Sequence, residues 1–274
     1  MRTWVNGTVV ESVEALVSVF DHGLTVGDGV FETAKVVHGR PFALTRHLRR
    51  LAASAAGLGL PAPDLDLVRH AVADTLKEND TSRPLRLRIT YTGGLSALGS
   101  DRDGLAPTLV VAVAPMAAWP DTAALATVPW SRNEHAPTAG LKTTSYADNV
   151  VALAHAKAAG AAEALLANTA GHLCEGTGSN VFVVLDGEMV TPPLTSGCLA
   201  GVTRALVLEW AGGAERDLPM SVLDEATEVF LTSSTRDVQG VHRVDARELV
   251  AAPGPVTRRV AEVFAVRSAA DVDP

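Results

Sequence analysis

The pattern of apolar and polar positions near the start of the chain predicts short strands joined by tight turns. Residues 4–10 form a predicted hairpin, because the pair Asn6 and Gly7 favours the positive φ angles of a primed turn. Residues 30–37 alternate as a strand and are followed by a turn. One face of that strand carries Phe31, Thr33, Lys35 and Val37.

Helical spacing of apolar positions follows this strand. Residues 45–57 predict a helix with Thr45 as its amino-terminal cap, and residues 65–79 predict a second helix. Residues 85–91 alternate as a strand, whereas 108–114 form a continuous β-branched run that is typical of a strand buried on both faces. The first part of the chain therefore predicts strands and helices in alternation.

The second part of the chain predicts a sheet rich in hairpins. A linker is expected near residues 115–121, and the pair Asp186 and Gly187 marks a tight turn between two apolar runs. The predicted strands are 163–167, 172–175, 181–185, 188–191 and 228–232, and the predicted helices are 148–159, 197–213 and 255–265. The chain as a whole is expected to be a globular α/β (α+β) protein.

Composition narrows the class of partner. The chain has 274 residues, 47% of them apolar, which is enough for a buried core. Its net charge of -8 argues against nucleic-acid binding, which needs a cationic face. Two cysteines cannot form a disulfide framework, and the amino terminus lacks a signal sequence, so a cytoplasmic location is expected. We expect no membrane segment, no metal site and a small-molecule partner.

Lys142 is the first candidate for chemistry. The chain has four lysines, so its basic charge is carried mainly by arginine. Unlike arginine, a lysine amine can lose its proton and attack a carbonyl, which is the reactivity that pyridoxal phosphate (PLP) enzymes require. A GC-rich genome also depletes lysine without any selection for chemistry, so the scarcity alone leaves both interpretations open.

Other residues match the separate needs of such a cofactor. Glu175 is expected at the end of a strand, where a carboxylate can pair with a ring nitrogen; it can equally be a surface turn acid. Gly201-Val202-Thr203 opens a helix whose first amides suit an anion, and Ser233-Ser234-Thr235 adds hydroxyl groups. Arg50 can supply a cation, although arginines on that helix can also form a solvated face. Spacing alone does not select among these residues.

The ordered set of motifs resembles the fold type IV PLP enzymes, also called class IV aminotransferases. That family includes branched-chain aminotransferases, D-amino-acid transaminases and aminodeoxychorismate lyases. The matching segments are Asn6-Gly7, Gly27-Asp28-Gly29-Val30-Phe31-Glu32, His47-Leu48-Arg49-Arg50-Leu51, Gly140-Leu141-Lys142, Glu175-Gly176-Thr177-Gly178-Ser179-Asn180, Gly201-Val202-Thr203-Arg204 and Ser233-Ser234. The resemblance covers nearly the whole chain.

The resemblance implies a role for each matching residue. Lys142 would form the Schiff base with PLP, Glu175 would meet the ring nitrogen, and Arg50 would bind the phosphate. The phosphate cup would be completed by Val202, Thr203 and Ser234, the ring oxygen would be bound by Tyr146, and the substrate pocket would include Phe31, Thr33 and Lys35. Lys35 can meet a substrate carboxylate or simply reach solvent.

The resemblance also implies the architecture and the reaction. A smaller N-terminal α/β domain (1–115), a linker (116–122) and a larger hairpin-rich C-terminal PLP-binding domain (123–274) are expected, in a homodimer. The compact length and the stretch Tyr91-Thr92-Gly93-Gly94-Leu95-Ser96 favour 4-amino-4-deoxychorismate lyase, which gives pyruvate and 4-aminobenzoate for folate biosynthesis. A D-amino-acid or branched-chain aminotransferase is the alternative. A third hypothesis is a family member that keeps the fold but has no catalytic activity. The presence of Lys142, Glu175 and Arg50 together argues against it.

Overall fold

The chain divides into two compact units in the computed structural model, which describes residues 1–102, 104 and 106–274. The first unit comprises Met1–Ala117, Leu141–Tyr146 and Val272–Pro274, and the second comprises Ala118–Gly140 and Ala147–Asp271. The predicted domains 1–115 and 123–274 stay a prediction, because the compact units group residues 141–146 and 272–274 with the first part of the chain.

The first unit is an antiparallel sheet with helices on one face. Its elements are β1 (Arg2–Val5), β2 (Thr8–Glu11), α1 (His22–Thr25), β3 (Gly29–Val37), β4 (Arg40–Pro41), α2 (Leu44–Gly57), α3 (Leu65–Lys77), β5 (Leu85–Thr92) and β6 (Thr108–Pro115). The strands lie in the order β2-β1-β6-β5-β3-β4, and each neighbouring pair is antiparallel. The predicted hairpin is confirmed, with φ angles of 43° at Asn6 and 100° at Gly7.

The core of the first unit follows the two-residue period of its strands. Apolar side chains from β3, β5 and β6 pack against apolar side chains from α2 and α3. The members of β3 and α2 in this core are Val30, Ala34, Val36, Leu48, Leu51 and Ala55. Because alternate residues face opposite sides, Phe31, Thr33 and Lys35 share the other face of β3, as predicted from the sequence.

The second unit has a mixed sheet. Its elements are β7 (Thr122–Arg132), α4 (Ala147–Ala158), β8 (Glu163–Asn168), β9 (Leu173–Gly176), β10 (Asn180–Leu185), β11 (Glu188–Thr191), α5 (Val202–Ala211), β12 (Ala214–Glu215), α6 (Val222–Glu225), β13 (Glu228–Ser233), β14 (Asp237–Val244), β15 (Arg247–Glu248) and α7 (Pro255–Ala270). The strands lie in the order β12-β11-β10-β13-β14-β7-β8-β9, and β15 pairs with β14. The mixed α/β fold and the hairpins predicted from the second half of the sequence are confirmed.

Two predicted helix starts are wrong. Thr45 lies inside α2, whose N-cap is Ala43 in the left-handed region at φ 54°, and the Thr45 amide and hydroxyl donate to the Asp273 carboxylate at 2.7 and 2.6 Å. The helix predicted at 197–213 begins only at Val202, because Gly197, at φ 90°, ends a 3₁₀ turn. The amino-terminal residues of α5 are therefore Val202 and Thr203.

Within the described part of the chain, no helix is both long enough and apolar enough to cross a bilayer.

Candidate active site

Lys142 is placed in the first unit by its main chain. The Phe31 amide donates to the Lys142 carbonyl at 2.9 Å, and the Thr144 amide donates to the Gly29 carbonyl at 2.8 Å. The segment thus pairs with the start of β3 as a short additional strand would. On its other side, the Lys142 amide donates to Ser54 Oγ of α2 at 3.2 Å. These contacts fix where the side chain begins without using the side chain itself.

The Lys142 side chain lies against an aromatic ring. Its Nζ atom is 4.4 Å from the ring centroid of Phe31, which is buried. The Tyr146 ring meets the same ring edge-on, at 5.2 Å and 74°. The guanidinium of Arg88, which the sequence did not single out, has its Cζ atom 3.6 Å from the Phe31 centroid. Phe31 therefore contacts two cations and one aromatic ring.

The remaining predicted substrate-pocket residues lie on this same face of β3. Thr33 is opposite Arg88 and Lys35 is opposite Arg86 in the β3–β5 register. Lys35 is only 9% exposed, and its Nζ lies 4.8 Å from the Phe42 ring centroid, so the interpretation of a lysine reaching solvent is wrong. The face combines an aromatic ring with four cations, Lys35, Arg86, Arg88 and Lys142, a composition that suits an anionic group beside an apolar one.

Arg50 forms an ion pair with a buried acid and is not part of a solvated face. Its Nε and Nη2 atoms donate to the two carboxylate oxygens of Glu32, each at 2.7 Å. Glu32 lies on the core face of β3, and its side chain is 1% exposed, against 12% for Arg50. His47 Nδ1 lies 2.7 Å from Glu32 Oε2. A two-pronged contact of this kind fixes the plane of the guanidinium.

The charges in this cluster explain how an acid persists in an apolar core. Burial alone would raise the pKa of Glu32, but the charge of Arg50 and hydrogen bonds from Arg50 and His47 outweigh it and lower the pKa from 4.5 to about 2. Burial lowers the pKa of His47, against the opposing effect of Glu32. An ionised carboxylate can only accept, so a neutral His47 donates from Nδ1.

In the second unit, Glu175 is held by its carboxylate. Glu175 lies in β9, one residue before its end, with its side chain 12% exposed. The Leu199 amide donates to Glu175 Oε2 at 2.9 Å, and Arg132 Nε lies 3.2 Å from Oε1. Arg132 in turn donates from Nη1 to Asn149 Oδ1 at 3.1 Å. The sequence analysis missed Arg132, because the pairing joins residues far apart in the chain.

The start of α5 has the chemistry of an anion site. Val202 and Thr203 are buried, and Gly201 caps the helix without a side-chain hydrogen bond. The first amides of a helix have no partner within it and lie at the positive end of the helix dipole. A Cβ on Gly201 would lie 1.9 Å from Asn180 Oδ1, so this close approach requires glycine.

Ser234 lies in the turn between β13 and β14. The register of these strands ends at the pair Ser233 and Asp237, so Ser234 belongs to the connection itself. It is half-buried. A hydroxyl at such a turn can donate to an anion, and the predicted role of Ser234 rests on this placement.

The sequence contained a signal for one of the missed residues. Glu32 stands between Val30 and Ala34 on the core face of a strand, and an acid in that position needs a partner. His47 and Arg50, one turn apart on α2, provide it. No comparable local signal marks Arg88 or Arg132, whose contacts depend on tertiary structure.

Comparison with known proteins identifies the family to which the chain is similar. Residues 29–244 match the family described as amino-transferase class IV. A putative branched-chain-amino-acid aminotransferase from Methanocaldococcus jannaschii is 32% identical over 96% of this chain and 95% of its own length. A bifunctional aminodeoxychorismate lyase / D-amino acid transaminase from Mycobacterium tuberculosis is 31% identical over 97% and 96%, respectively. A solved structure of a hypothetical aminotransferase from Mycobacterium tuberculosis, in its form with α-ketoglutarate and PMP bound, is similar with a TM-score of 0.86 and 30% identity, over 97% of this chain and 98% of that one.

Proposed function

Because the chain belongs to the class IV aminotransferase family, whose enzymes depend on PLP, we propose that it transfers the amino group of an α-amino acid to a 2-oxoacid. The observation that favours amino-group transfer over the lyase reaction is the similarity along 96% of the chain to a putative branched-chain aminotransferase. Branched-chain amino acids are accordingly the first donors to test.

The residues present fit PLP at three positions. The α5 amino terminus, with Val202 and Thr203, offers amides and a hydroxyl for the phosphate. Glu175 offers a carboxylate, already oriented by Arg132, for the ring nitrogen. Lys142 offers an amine. When bound, PLP supplies an aldehyde that takes up an amino group and a ring that withdraws electrons from the bond to be broken.

Lys142 is proposed to move the proton. Its Nζ would accept the proton from the substrate α-carbon and give it back at a different carbon, which distinguishes transfer from racemisation. This requires that the amine be neutral when it accepts the proton. The backbone pairing of Lys142 with β3 keeps the base in one place during this movement.

Arg50, Ser234 and Tyr146 are proposed to orient the cofactor. The contact of Arg50 Nε and Nη2 with Glu32 fixes the plane of the guanidinium, whose positive charge would attract the phosphate. Ser234 and Thr203 would donate hydroxyl hydrogens to phosphate oxygens. Tyr146, whose ring packs against Phe31, would donate to the ring oxygen. Charge and geometry thus favour an anion in a fixed orientation.

The β3 face is proposed to contact the substrate. Phe31 lies at the centre of this face, in contact with Lys142 and Arg88, and is proposed to pack against an aliphatic side chain. Thr33 and the buried Lys35 lie on the same face, and Lys35 can bind a carboxylate of the substrate.

The test is a pair of assays on purified protein. The enzyme should bind PLP and, with L-leucine and 2-oxoglutarate, should form the 2-oxoacid of leucine; D-alanine should be compared as donor. Borohydride should fix the cofactor to the peptide containing Lys142. A protein that takes up PLP but transfers no amino group from either donor would contradict the proposal.

Aminodeoxychorismate lyase is the second candidate function. The observation that favours it is the bifunctional relative, which is similar over 97% of this chain. The same protein sample should therefore be given aminodeoxychorismate, and fluorescent 4-aminobenzoate should be measured. A rate of 4-aminobenzoate formation well above every transamination rate would reverse the order of the two candidates.

A homodimer is proposed as the functional state. The segment between β2 and β3 exposes large apolar side chains that a monomer would leave in water. They are Val13 (90% exposed), Leu16 (80%), Val19 (69%), Phe20 (50%) and Leu24 (66%). Light scattering after size exclusion should give about twice the mass of 28.5 kDa, and a monomeric mass would contradict the proposal.

A further inference from the structure

A buried glutamate of the second unit, Glu163, has no role in the proposed site. Glu163 begins β8 with its side chain 2% exposed, and Arg236 lies in the β13–β14 turn with its side chain 8% exposed. Glu163 Oε2 is 2.6 Å from Arg236 Nη1, a contact of charge without the alignment of a hydrogen bond. Removing two charges from water is costly, so such a pair is weak evidence for stability alone.

Glu163 also holds the loop that follows Glu175. Its Oε1 accepts hydrogen bonds from the Gly178 amide and the Ser179 hydroxyl, each at 2.7 Å. A Cβ on Gly176 would lie 2.5 Å from the same oxygen, so the close approach of carboxylate and loop needs glycine there. One oxygen of Glu163 thus fixes the β9–β10 connection, while the other faces Arg236.

Arg236 holds the β13–β14 turn in place through two contacts. Its Cζ lies 4.1 Å from the ring centroid of Trp119, so the guanidinium has an aromatic ring and a carboxylate as neighbours. Arg236 follows Ser234 by two residues in the turn. A guanidinium restrained by these contacts restrains the turn that carries it.

We infer that Glu163 and Arg236 are positioning residues for the cofactor, because together they join the loop after Glu175 to the turn that carries Ser234. The inference rests on the proposed roles of Glu175 and Ser234 toward the PLP ring nitrogen and phosphate. Neither Glu163 nor Arg236 needs to touch PLP. The ion pair fixes the distance between the Glu175 carboxylate and the Ser234 hydroxyl. A rigid molecule that contacts both groups requires this distance to be constant.

The test removes the charge and keeps the shape. Glu163→Gln retains an oxygen for the Gly178 amide but no longer pairs with Arg236. Apo protein titrated with PLP should bind it about tenfold more weakly, a size typical of residues that orient a ligand's direct contacts. The pH titration of the visible absorbance of bound PLP should shift, because the Glu175 carboxylate is less well fixed. A residue that supports only stability would leave that titration unchanged.

Further variants give the controls. Glu188→Gln breaks an exposed ion pair of the same unit, Glu188 to Arg216 at 2.5 Å, and should change neither PLP affinity nor the titration. Arg236→Met should weaken PLP binding to the same degree as Glu163→Gln, and the double variant should add little further loss, because both remove one interaction. If either single variant fails to fold, Arg236→Lys, which keeps the charge, gives a smaller shift in the same direction.

The outcomes separate this inference from the site assignment. Unchanged affinity and unchanged titration in folded Glu163→Gln, with both altered in Glu175→Gln and Ser234→Ala, would overturn the positioning role alone. If Glu175→Gln and Ser234→Ala also bind PLP as the unaltered protein does, the assigned cofactor contacts fail, and the inference fails with them.

Discussion

Lys142 in the first unit and Glu175 in the second are held in different ways. The main chain of Lys142 pairs with β3, and its amide meets Ser54, so its position does not depend on the side chain. Glu175 is oriented through its carboxylate, by the Leu199 amide and by Arg132. A residue held by its backbone can be replaced without moving its neighbours, whereas a residue held by its side chain depends on each partner.

The surroundings of Lys142 and Glu175 also differ in how much they contribute to the stability of the fold. Behind β3, the Glu32 ion pair with Arg50 is almost removed from water and belongs to the core of the first unit. Arg132, behind Glu175, is 21% exposed and can be rehydrated when its partner is lost. Substitutions near Lys142 should therefore divide into those that affect chemistry and those that affect folding, while substitutions near Glu175 should affect mainly chemistry.

The largest effect is expected for Lys142→Ala. Loss of the amine should lower the transamination rate about 10,000-fold, since Lys142 is the residue proposed to take and return the proton. The free energy of unfolding should change by less than about 0.5 kcal/mol, because the backbone pairing remains. Turnover with L-leucine and urea unfolding of the apo protein measure the two quantities. Marked destabilisation of Lys142→Ala would break the comparison.

The next largest effect is expected for Glu32→Ala. The change leaves the buried His47 and the partly buried Arg50 without their acid, and loss of one partner of a buried pair costs about 4 kcal/mol of folding free energy. Urea unfolding measures it. Arg216→Ala, which breaks an exposed pair, is the control and should cost under about 1 kcal/mol. Equal losses in the two variants would show that the cluster behind β3 is not energetically distinct.

The sequence alone was sufficient to predict the strands and helices that have one buried face. Alternation and helical spacing predicted β3, α2 and the hairpins, because burial on one face imposes a period on the chain. The start of α2 was not predictable, since Thr45 bonds to Asp273, which is 228 residues away. The same holds for Arg132, which meets Glu175 only because the strands bring them together. Motif order selected the residues that we propose to contact a cofactor, and tertiary contacts identified the residues that hold them.

Acid should weaken the first unit in a predictable direction. The pKa of Glu32 is lowered from 4.5 to about 2 in the folded state, so its contribution is complete above pH 4.5 and is lost as pH falls toward 2. The shift corresponds to about 3 kcal/mol of folding free energy. The lowered pKa of His47 acts in the same direction as pH falls below 6.5.

The measurement is urea unfolding between pH 7 and pH 3. Glu32→Gln cannot titrate at this position, so its stability should fall less steeply with acid than that of the unaltered protein. The difference between the two curves isolates Glu32 from the other carboxylates of the chain. Parallel curves would mean that the pKa of Glu32 is not lowered by Arg50 and His47.

The smallest effect is expected for Arg132→Gln, and it addresses the second half of the comparison directly. Glu175 would keep the Leu199 amide but lose the guanidinium 3.2 Å from its other oxygen, and Asn149 would lose a donor. We expect kcat/KM to fall about tenfold, equivalent to about 1.4 kcal/mol, with the loss in kcat rather than KM. Arg132→Lys should recover part of the rate, because it restores the charge without the planar contact. Steady-state kinetics with leucine and 2-oxoglutarate decide the matter. An unaltered kcat in Arg132→Gln would mean that the Leu199 amide alone is enough to orient Glu175, and that the acid, like the lysine, is positioned by the main chain.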